Sequence, residues 1–124
     1  MMPVMADGWP DRSEVDEAWR EVIAGARSRE SVHDWSVPWV EGDRAHGPAR
    51  DLMVSNGLLH LHGLDLWTRD GDGLRQYMFD DPEVIARYEA WLARCTDYDK
   101  DPDGWSRRQM EIARQAIAAE RGKP

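Results

Sequence analysis

The spacing of apolar residues predicts a first helix soon after Pro10. Apolar residues recur there every three or four positions, as on one side of an α-helix, and Ser13 is the expected N-cap. The stripe consists of Val15, Ala18, Trp19, Val22, Ile23 and Ala26. This is the clearest helical pattern in the chain.

A second helix is predicted to begin at Ser28. Val32, Trp35 and Trp39 then fall on one side of it. Pro38 disfavours helical geometry in the residue before it, so we expect the helix to end or kink there.

The pattern between residues 48 and 79 predicts a third helix followed by a hairpin. Pro48 suits a first helical turn and Gly63 a helix end. Residues 59–66 also alternate with the period of a strand, but we favour a helix to about residue 62. An Asp-Gly-Asp-Gly turn then separates two short apolar-rich runs, which predicts one short β-hairpin near residues 64–79.

Two further helices are predicted in the last third of the chain. Asp81 is the expected cap of the fourth, with Pro82 in its first turn and an apolar stripe of Val84, Ile85, Tyr88, Trp91, Leu92 and Cys95. The fifth is expected from about residue 103 to 121, with Trp105, Ile112, Ala113, Ala116 and Ile117 facing inward.

These elements predict a mainly α fold, a single-domain bundle of about five helices with one short hairpin. We expect residues 9–121 to form the domain, with loose segments at 1–8 and 122–124. The seven tryptophans compensate for a modest aliphatic content. The expected common core consists of Trp19, Val22, Trp35, Leu59, Ile85, Tyr88, Trp91 and Ile112.

The charge is negative and unevenly distributed. The chain has a net charge of -8, and residues 65–103 alone contain 11 acidic and 5 basic residues, a net charge of -6. Such a surface repels phosphates and anionic lipids and attracts basic proteins. We therefore expect no nucleic-acid or membrane partner, and the lack of an evident targeting signal predicts a cytoplasmic protein.

The most distinctive short motif is "DYDKDPDGW", residues 97–105. Asp99, Asp101 and Asp103 match the start of a helix-loop-helix calcium motif, but Met110 stands where a bidentate glutamate is required. The favoured interpretation is that Asp101 or Asp103 caps the fifth helix, with some of the acidic residues available to a partner.

A second candidate for chemistry is the histidine-containing run before the hairpin. His60, His62 and Asp65 are residue types that bind zinc or iron. On a helix, residues two apart do not share a face, so His60 and His62 are not expected to chelate one ion. The sequence therefore predicts no cofactor, no metal site and no catalytic set, and we expect neither calcium nor zinc to raise the melting temperature.

The remaining pattern predicts a surface for a protein partner. Tryptophans beside aspartates are typical of interfaces in which aromatic side chains anchor and charges steer. The expected binding residues are Trp67, Asp70, Asp72, Asp97, Tyr98, Asp99, Asp101 and Trp105. We expect a non-enzymatic domain that binds a basic protein such as a toxin. The alternative is a small metal-dependent enzyme or calcium-responsive module that uses Asp99, Asp101 and Asp103 or His60, His62 and Asp65.

Three stretches carry a resemblance to a known group of proteins: "RSRESVHDWSVPWV", "LLHLHGLDL", and "LRQYMF" before a helix containing Trp91. Together they resemble small acidic helical bacterial proteins, largely of uncharacterised function, that are thought to include immunity proteins. The resemblance covers about two thirds of the chain and carries no catalytic residue. It implies an immunity-type inhibitor that covers a basic toxin with an acidic face.

Overall fold

The computed structural model describes residues 8–42, 47, 49–69 and 71–122. In these ranges the chain forms five α-helices and one two-stranded antiparallel hairpin, which confirms the predicted mainly α fold. The elements are α1 (Arg12–Ile23), α2 (Arg29–Val40), α3 (Leu52–His62), β1 (Trp67–Arg69), β2 (Arg75–Tyr77), α4 (Asp81–Lys100) and α5 (Pro102–Arg121).

Helix α1 begins one residue after Asp11, so the prediction that Ser13 is the cap is wrong. The Asp11 carboxylate accepts a hydrogen bond from the Glu14 amide at 2.8 Å. Glu14 in turn accepts one from the Asp11 amide at 3.2 Å, which completes a capping box. Two otherwise unpaired amides are satisfied in this way, and the helix start is set two residues earlier than predicted.

Helix α2 begins after Ser28, as predicted, but it continues past Pro38 to Val40. The expectation that the helix ends at Pro38 is therefore wrong, while the alternative of a kink there stays a prediction. Proline lacks an amide hydrogen and disturbs the bond to the preceding turn. Because Pro38 lies in the last turn, the missing hydrogen bond affects only the end of the helix. The last turn is completed by the Glu41 amide, which donates to the Val37 oxygen at 2.8 Å.

The region that could have been helix or strand is helical to His62, as favoured from the sequence. A single 3-10 turn, Gly63–Asp65, follows and leads into β1. The hairpin pairs Trp67 with Tyr77 and Arg69 with Arg75, within the range predicted for it. Helix α3 begins after Asp51, whose carboxylate accepts from the Met53 amide at 2.9 Å; the predicted start at Pro48 falls outside the described residues.

Helix α4 is capped by Asp80 and not by the predicted Asp81. The Asp80 carboxylate accepts a hydrogen bond from the Glu83 amide at 2.9 Å. Asp81 instead forms an ion pair with Arg29, in which Nη2 lies 2.9 Å from Oδ1. The same arginine donates to the Phe79 oxygen at 2.5 Å and to the Leu64 oxygen at 3.3 Å. One buried side chain therefore connects α2 with the segments on both sides of the hairpin.

The chain divides into two compact units, 1–91 and 92–124, and the division lies within α4. The buried apolar side chains of the first unit are Val15, Ala18, Trp19, Val32, Met53, Val54, Leu58, Leu61, Leu64, Val84 and Trp91. The prediction of one domain over residues 9–121 is not tested by this division and stays a prediction. No described helix is both long enough and apolar enough to cross a membrane.

The predicted core is right for two of its eight members, Trp19 and Trp91, which are fully buried. Leu59, Ile85 and Ile112 are instead exposed, and Val22, Trp35 and Tyr88 are partly exposed. Along α5 the apolar residues expected to face inward include Ile112 and Ile117, which are 59% and 53% exposed. Helical periodicity correctly placed these residues on a helix, but burial depends on what covers each side of it.

Candidate functional site

The predicted binding residues fall in both units of the structure. Trp67 and Asp72 belong to the first, and Asp97, Tyr98, Asp99, Asp101 and Trp105 belong to the second. Asp70 lies outside the described residues. Each group is therefore considered within its own unit.

Trp67 is exposed, as predicted, and two arginine side chains lie beside its ring. Side chains alternate across a strand, so the register places Trp67, Arg69, Arg75 and Tyr77 on one face of the hairpin. The guanidinium carbons of Arg69 and Arg75 lie 5.2 and 4.6 Å from the centre of a Trp67 ring. These are cation-π distances. Asp72 is exposed in the turn of the hairpin, and the role predicted for Trp67 and Asp72 in binding stays a prediction.

Tyr77, on the same face, is tied to helix α2. Its hydroxyl donates to the Glu30 carboxylate at 2.6 Å, and the Arg29 guanidinium lies 4.2 Å from its ring centre. The hydrogen bond from Tyr77 lowers the pKa of Glu30, and the same bond raises the pKa of Tyr77. Glu30 is thereby held as an acceptor, which fixes the hairpin against α2.

In the second unit, the acidic stretch lies where two helices meet. Asp97 and Asp99 lie in the last turn of α4, and Asp101 is the N-cap of α5, accepting from the Gly104 amide at 3.1 Å. This confirms the favoured capping interpretation for Asp101, while Asp103 lies in the first turn of α5. A calcium loop of 12 residues is not formed, because helices occupy almost all of residues 99–110.

Two aromatic side chains pack together beside these carboxylates. The rings of Tyr98 and Trp105 meet edge to face, with centres 5.7 Å apart and planes at 82°. Both side chains are partly exposed. Because successive helical residues are about 100° apart, Asp97 and Asp99 flank Tyr98 on its two sides. We call Asp97, Tyr98, Asp99, Asp101 and Trp105 the acidic-aromatic patch.

A further cluster, which the sequence did not predict, lies between α2 and α3. It consists of His33, Glu41 and His62, each with one potential ligand atom within 4.8 Å of the others. Glu41 Oε2 lies 2.5 Å from His62 Nε2 and 3.8 Å from His33 Nε2. The two imidazole rings are 4.2 Å apart. We call these three residues the His-Glu-His cluster.

The orientation of His33 is set by groups on α3 and in the turn that follows. Its Nδ1 lies 2.8 Å from the main-chain oxygen of His62 and 3.2 Å from Asp65 Oδ1. The hydrogen bond to His62 raises the pKa of His33, with the Asp65 and Glu41 carboxylates adding to the effect, while burial opposes it. Since a carbonyl oxygen only accepts, Nδ1 carries the hydrogen, and in the neutral ring Nε2 offers its lone pair to the cluster.

The cluster shares His62 with the metal set considered from the sequence, while Asp65, another member of that set, lies beside His33 Nδ1 and is not in the cluster. His60 is two residues before His62 on the same helix, and such residues point in different directions. His33 lies in α2 and Glu41 is the C-cap residue of that helix, eight residues or about two turns later, so both reach the end of α3. The spacing of eight residues between His33 and Glu41 is a weak sequence signal that both lie on one side of a helix. No sequence signal indicates that they lie close to His62.

Comparison of the chain with protein-family models, with curated proteins and with solved structures finds no match.

Proposed function

We propose that the chain is a non-enzymatic protein-binding domain of the immunity type, which binds a basic protein toxin and inhibits it. The observation that supports this most directly is the acidic-aromatic patch. It combines a preformed pair of aromatic rings, Tyr98 and Trp105, with three carboxylates on a short, helix-bounded segment. The proposal also assigns the protein to the cytoplasm.

The chemistry of the patch suits a basic protein surface. Residues 97–103 contain four aspartates and one lysine, a net charge of -3, within a chain of net charge -8. Carboxylates of this density steer a cationic partner during diffusion and raise the association rate at low salt. Aromatic rings that are already packed together lose little conformational freedom on binding and act as anchors.

The capping geometry distinguishes the carboxylate that stabilises α5 from the two that we assign to binding. Asp101 already stabilises α5 through the Gly104 amide, so replacing it would change stability as well as charge. Asp97 and Asp99 lie in the last turn of α4, where a negative charge does not help the helix dipole. The helix dipole gives these two carboxylates no stabilising role, and we assign them to binding.

The test is to capture partners from native lysate with the full chain, identify them, and measure association kinetics of the purified pair at low and high salt. We expect a basic partner and an association rate that falls in the double variant Asp97→Asn/Asp99→Asn. The difference from the wild type should fade above about 0.3 M salt, where the Debye length drops to roughly 6 Å. Trp105→Ala should act mainly by raising the dissociation rate.

Glu89→Gln is a matched control, because it removes one negative charge from an exposed position of α4 outside the patch. Glu89→Gln should slow association less than Asp97→Asn alone or Asp99→Asn alone. An acidic partner would contradict the proposal. So would association rates that depend neither on salt nor on Asp97 and Asp99, in variants that circular dichroism shows to be folded.

A further inference from the structure

We propose that the His-Glu-His cluster is a binding site for a divalent transition-metal ion of the zinc class. This inference goes beyond the protein-binding function, does not depend on it, and replaces the sequence-based expectation of no metal site. The ligands would be His33 Nε2, His62 Nε2 and Glu41 Oε2, a set of two nitrogens and one carboxylate oxygen.

The separations of the three ligand atoms are close to those needed around one ion. Zinc binds histidine nitrogen and carboxylate oxygen at about 2.0 to 2.2 Å, which places tetrahedral ligand atoms about 3.3 Å apart. In the cluster, Glu41 Oε2 is 3.8 Å from His33 Nε2 and 2.5 Å from His62 Nε2. Placing an ion between these atoms therefore requires each of these two separations to change by less than about 1 Å. All three atoms already lie within 4.8 Å of one another.

The groups behind His33 resemble the outer shell of a metal-bound histidine. Such histidines donate their second ring N–H to a carbonyl or carboxylate, which fixes the tautomer and increases the basicity of the ligand nitrogen. His33 Nδ1 has both kinds of acceptor, the His62 oxygen at 2.8 Å and Asp65 Oδ1 at 3.2 Å. The ring is thus oriented with Nε2 toward Glu41, independently of any ion.

The site is accessible and has an open position. The side chain of Glu41 is 53% exposed, and those of His33 and His62 are 23% and 22% exposed. An ion can therefore enter from solvent. Three ligands from the described residues leave a fourth position of a tetrahedral ion for water or for a group from another molecule.

The donor atoms distinguish between classes of metal. Calcium and magnesium require oxygen ligands, six or more in number, which two imidazoles do not supply. Imidazole suits zinc, copper, nickel and cobalt. Zinc is the probe of choice because it has no redox chemistry, and cobalt reports coordination geometry through its visible spectrum.

The experiment is isothermal titration calorimetry of the metal-free full chain with zinc alone, and then with calcium alone, together with melting curves. We expect saturable binding of one zinc ion per chain, a rise of several degrees in melting temperature at a large excess of zinc over the dissociation constant, and no response to calcium. Cobalt should give the intense visible absorption of a tetrahedral site.

The variants His33→Gln, Glu41→Gln and His62→Gln should each weaken zinc binding at least tenfold and reduce the shift in melting temperature. His60→Gln is the matched control, because it removes a histidine from the same helix two residues from the cluster. Glu41→Gln is the most informative variant, since a half-exposed side chain can be replaced without unfolding the protein. Failure of the wild type to bind zinc would overturn the proposal, and so would undiminished binding by Glu41→Gln or equal loss in His60→Gln.

Discussion

The indole Nε1 of Trp91 donates a hydrogen bond of 2.9 Å to the main-chain oxygen of Met53. Both residues are completely or almost completely buried. The bond satisfies the polar atom of the tryptophan inside the core and joins α4 to the first turn of α3. The Trp91 side chain packs closely against the backbone of α3 at Gly57. A methyl group on Gly57 would lie 2.8 Å from the same nitrogen and 2.6 Å from Val15 Cγ1.

We predict that Gly57→Ala destabilises the protein. Alanine is favoured over glycine inside a helix by about 1 kcal/mol, but the added methyl group would overlap two buried side chains. Overpacking of this kind costs about 1 to 3 kcal/mol, so the net change should be destabilising. Urea unfolding measures it. The double variant Gly57→Ala/Val15→Ala should lose less stability than the sum of the losses in the two single variants, because truncating Val15 relieves part of the overlap. Strictly additive losses would show that the overlap is not the cause.

Adjacent leucines in α3 should respond very differently to truncation. Leu58 is fully buried, whereas Leu59 is 60% exposed. Leu58→Ala should therefore cost about 2 to 5 kcal/mol of unfolding free energy, through lost burial and a cavity. Leu59→Ala should change it by no more than about 0.5 kcal/mol. Chemical denaturation of the two variants is the measurement, and similar losses in both would mean that the buried side of α3 is misassigned.

Arg29 and Asp81 should contribute unequally, although they form one ion pair. Arg29→Met leaves the oxygens of Leu64 and Phe79 without their charged donor and should cost about 2 to 3 kcal/mol. Asp81→Asn should cost less than about 1 kcal/mol, because its side chain is 94% exposed. Melting curves distinguish the two. Equal effects would indicate that the ion pair, and not the carbonyl contacts, provides the stabilisation.

The contribution of the α1 cap should depend on pH. The hydrogen bond from the Glu14 amide holds the pKa of Asp11 below its ordinary value. A lowered folded-state pKa means that the stabilisation is present above the unfolded pKa of about 3.9 and is lost as pH falls through the folded-state value. Asp11→Ala should cost about 1 kcal/mol at pH 7, and the difference from the wild type should shrink below about pH 4.

The control for this prediction is Asp11→Asn, which keeps an oxygen acceptor at the cap but does not titrate. Its stability relative to Asp11→Ala should be nearly independent of pH. A difference between wild type and Asp11→Ala that stays constant from pH 7 to about pH 3 would show that the charge of the cap plays no part.

Local features of the chain account for what could be predicted about the fold. The helices follow from apolar residues at helical spacing, and the hairpin follows from its Asp-Gly-Asp-Gly turn. The predictions of helix caps are wrong where two neighbouring residues can each act as the N-cap. Asp11 caps α1 in place of Ser13, and Asp80 caps α4 in place of Asp81, because neighbouring side chains can each reach an open amide. The outcome depends on backbone direction before the helix, which composition does not reveal.

The sequence by itself determined the fold class, the negative charge of residues 65–103 and an aspartate cap on α5, since these depend on residues a few positions apart; the structure decided that Asp101 and not Asp103 forms this cap. Only the tertiary structure decided that Leu58 is buried and Leu59 exposed, because burial depends on which side of α3 is covered. It also decided that His62 meets His33, 29 residues earlier in the chain. Packing of α2 against α3 creates that proximity, and no spacing within either helix encodes it.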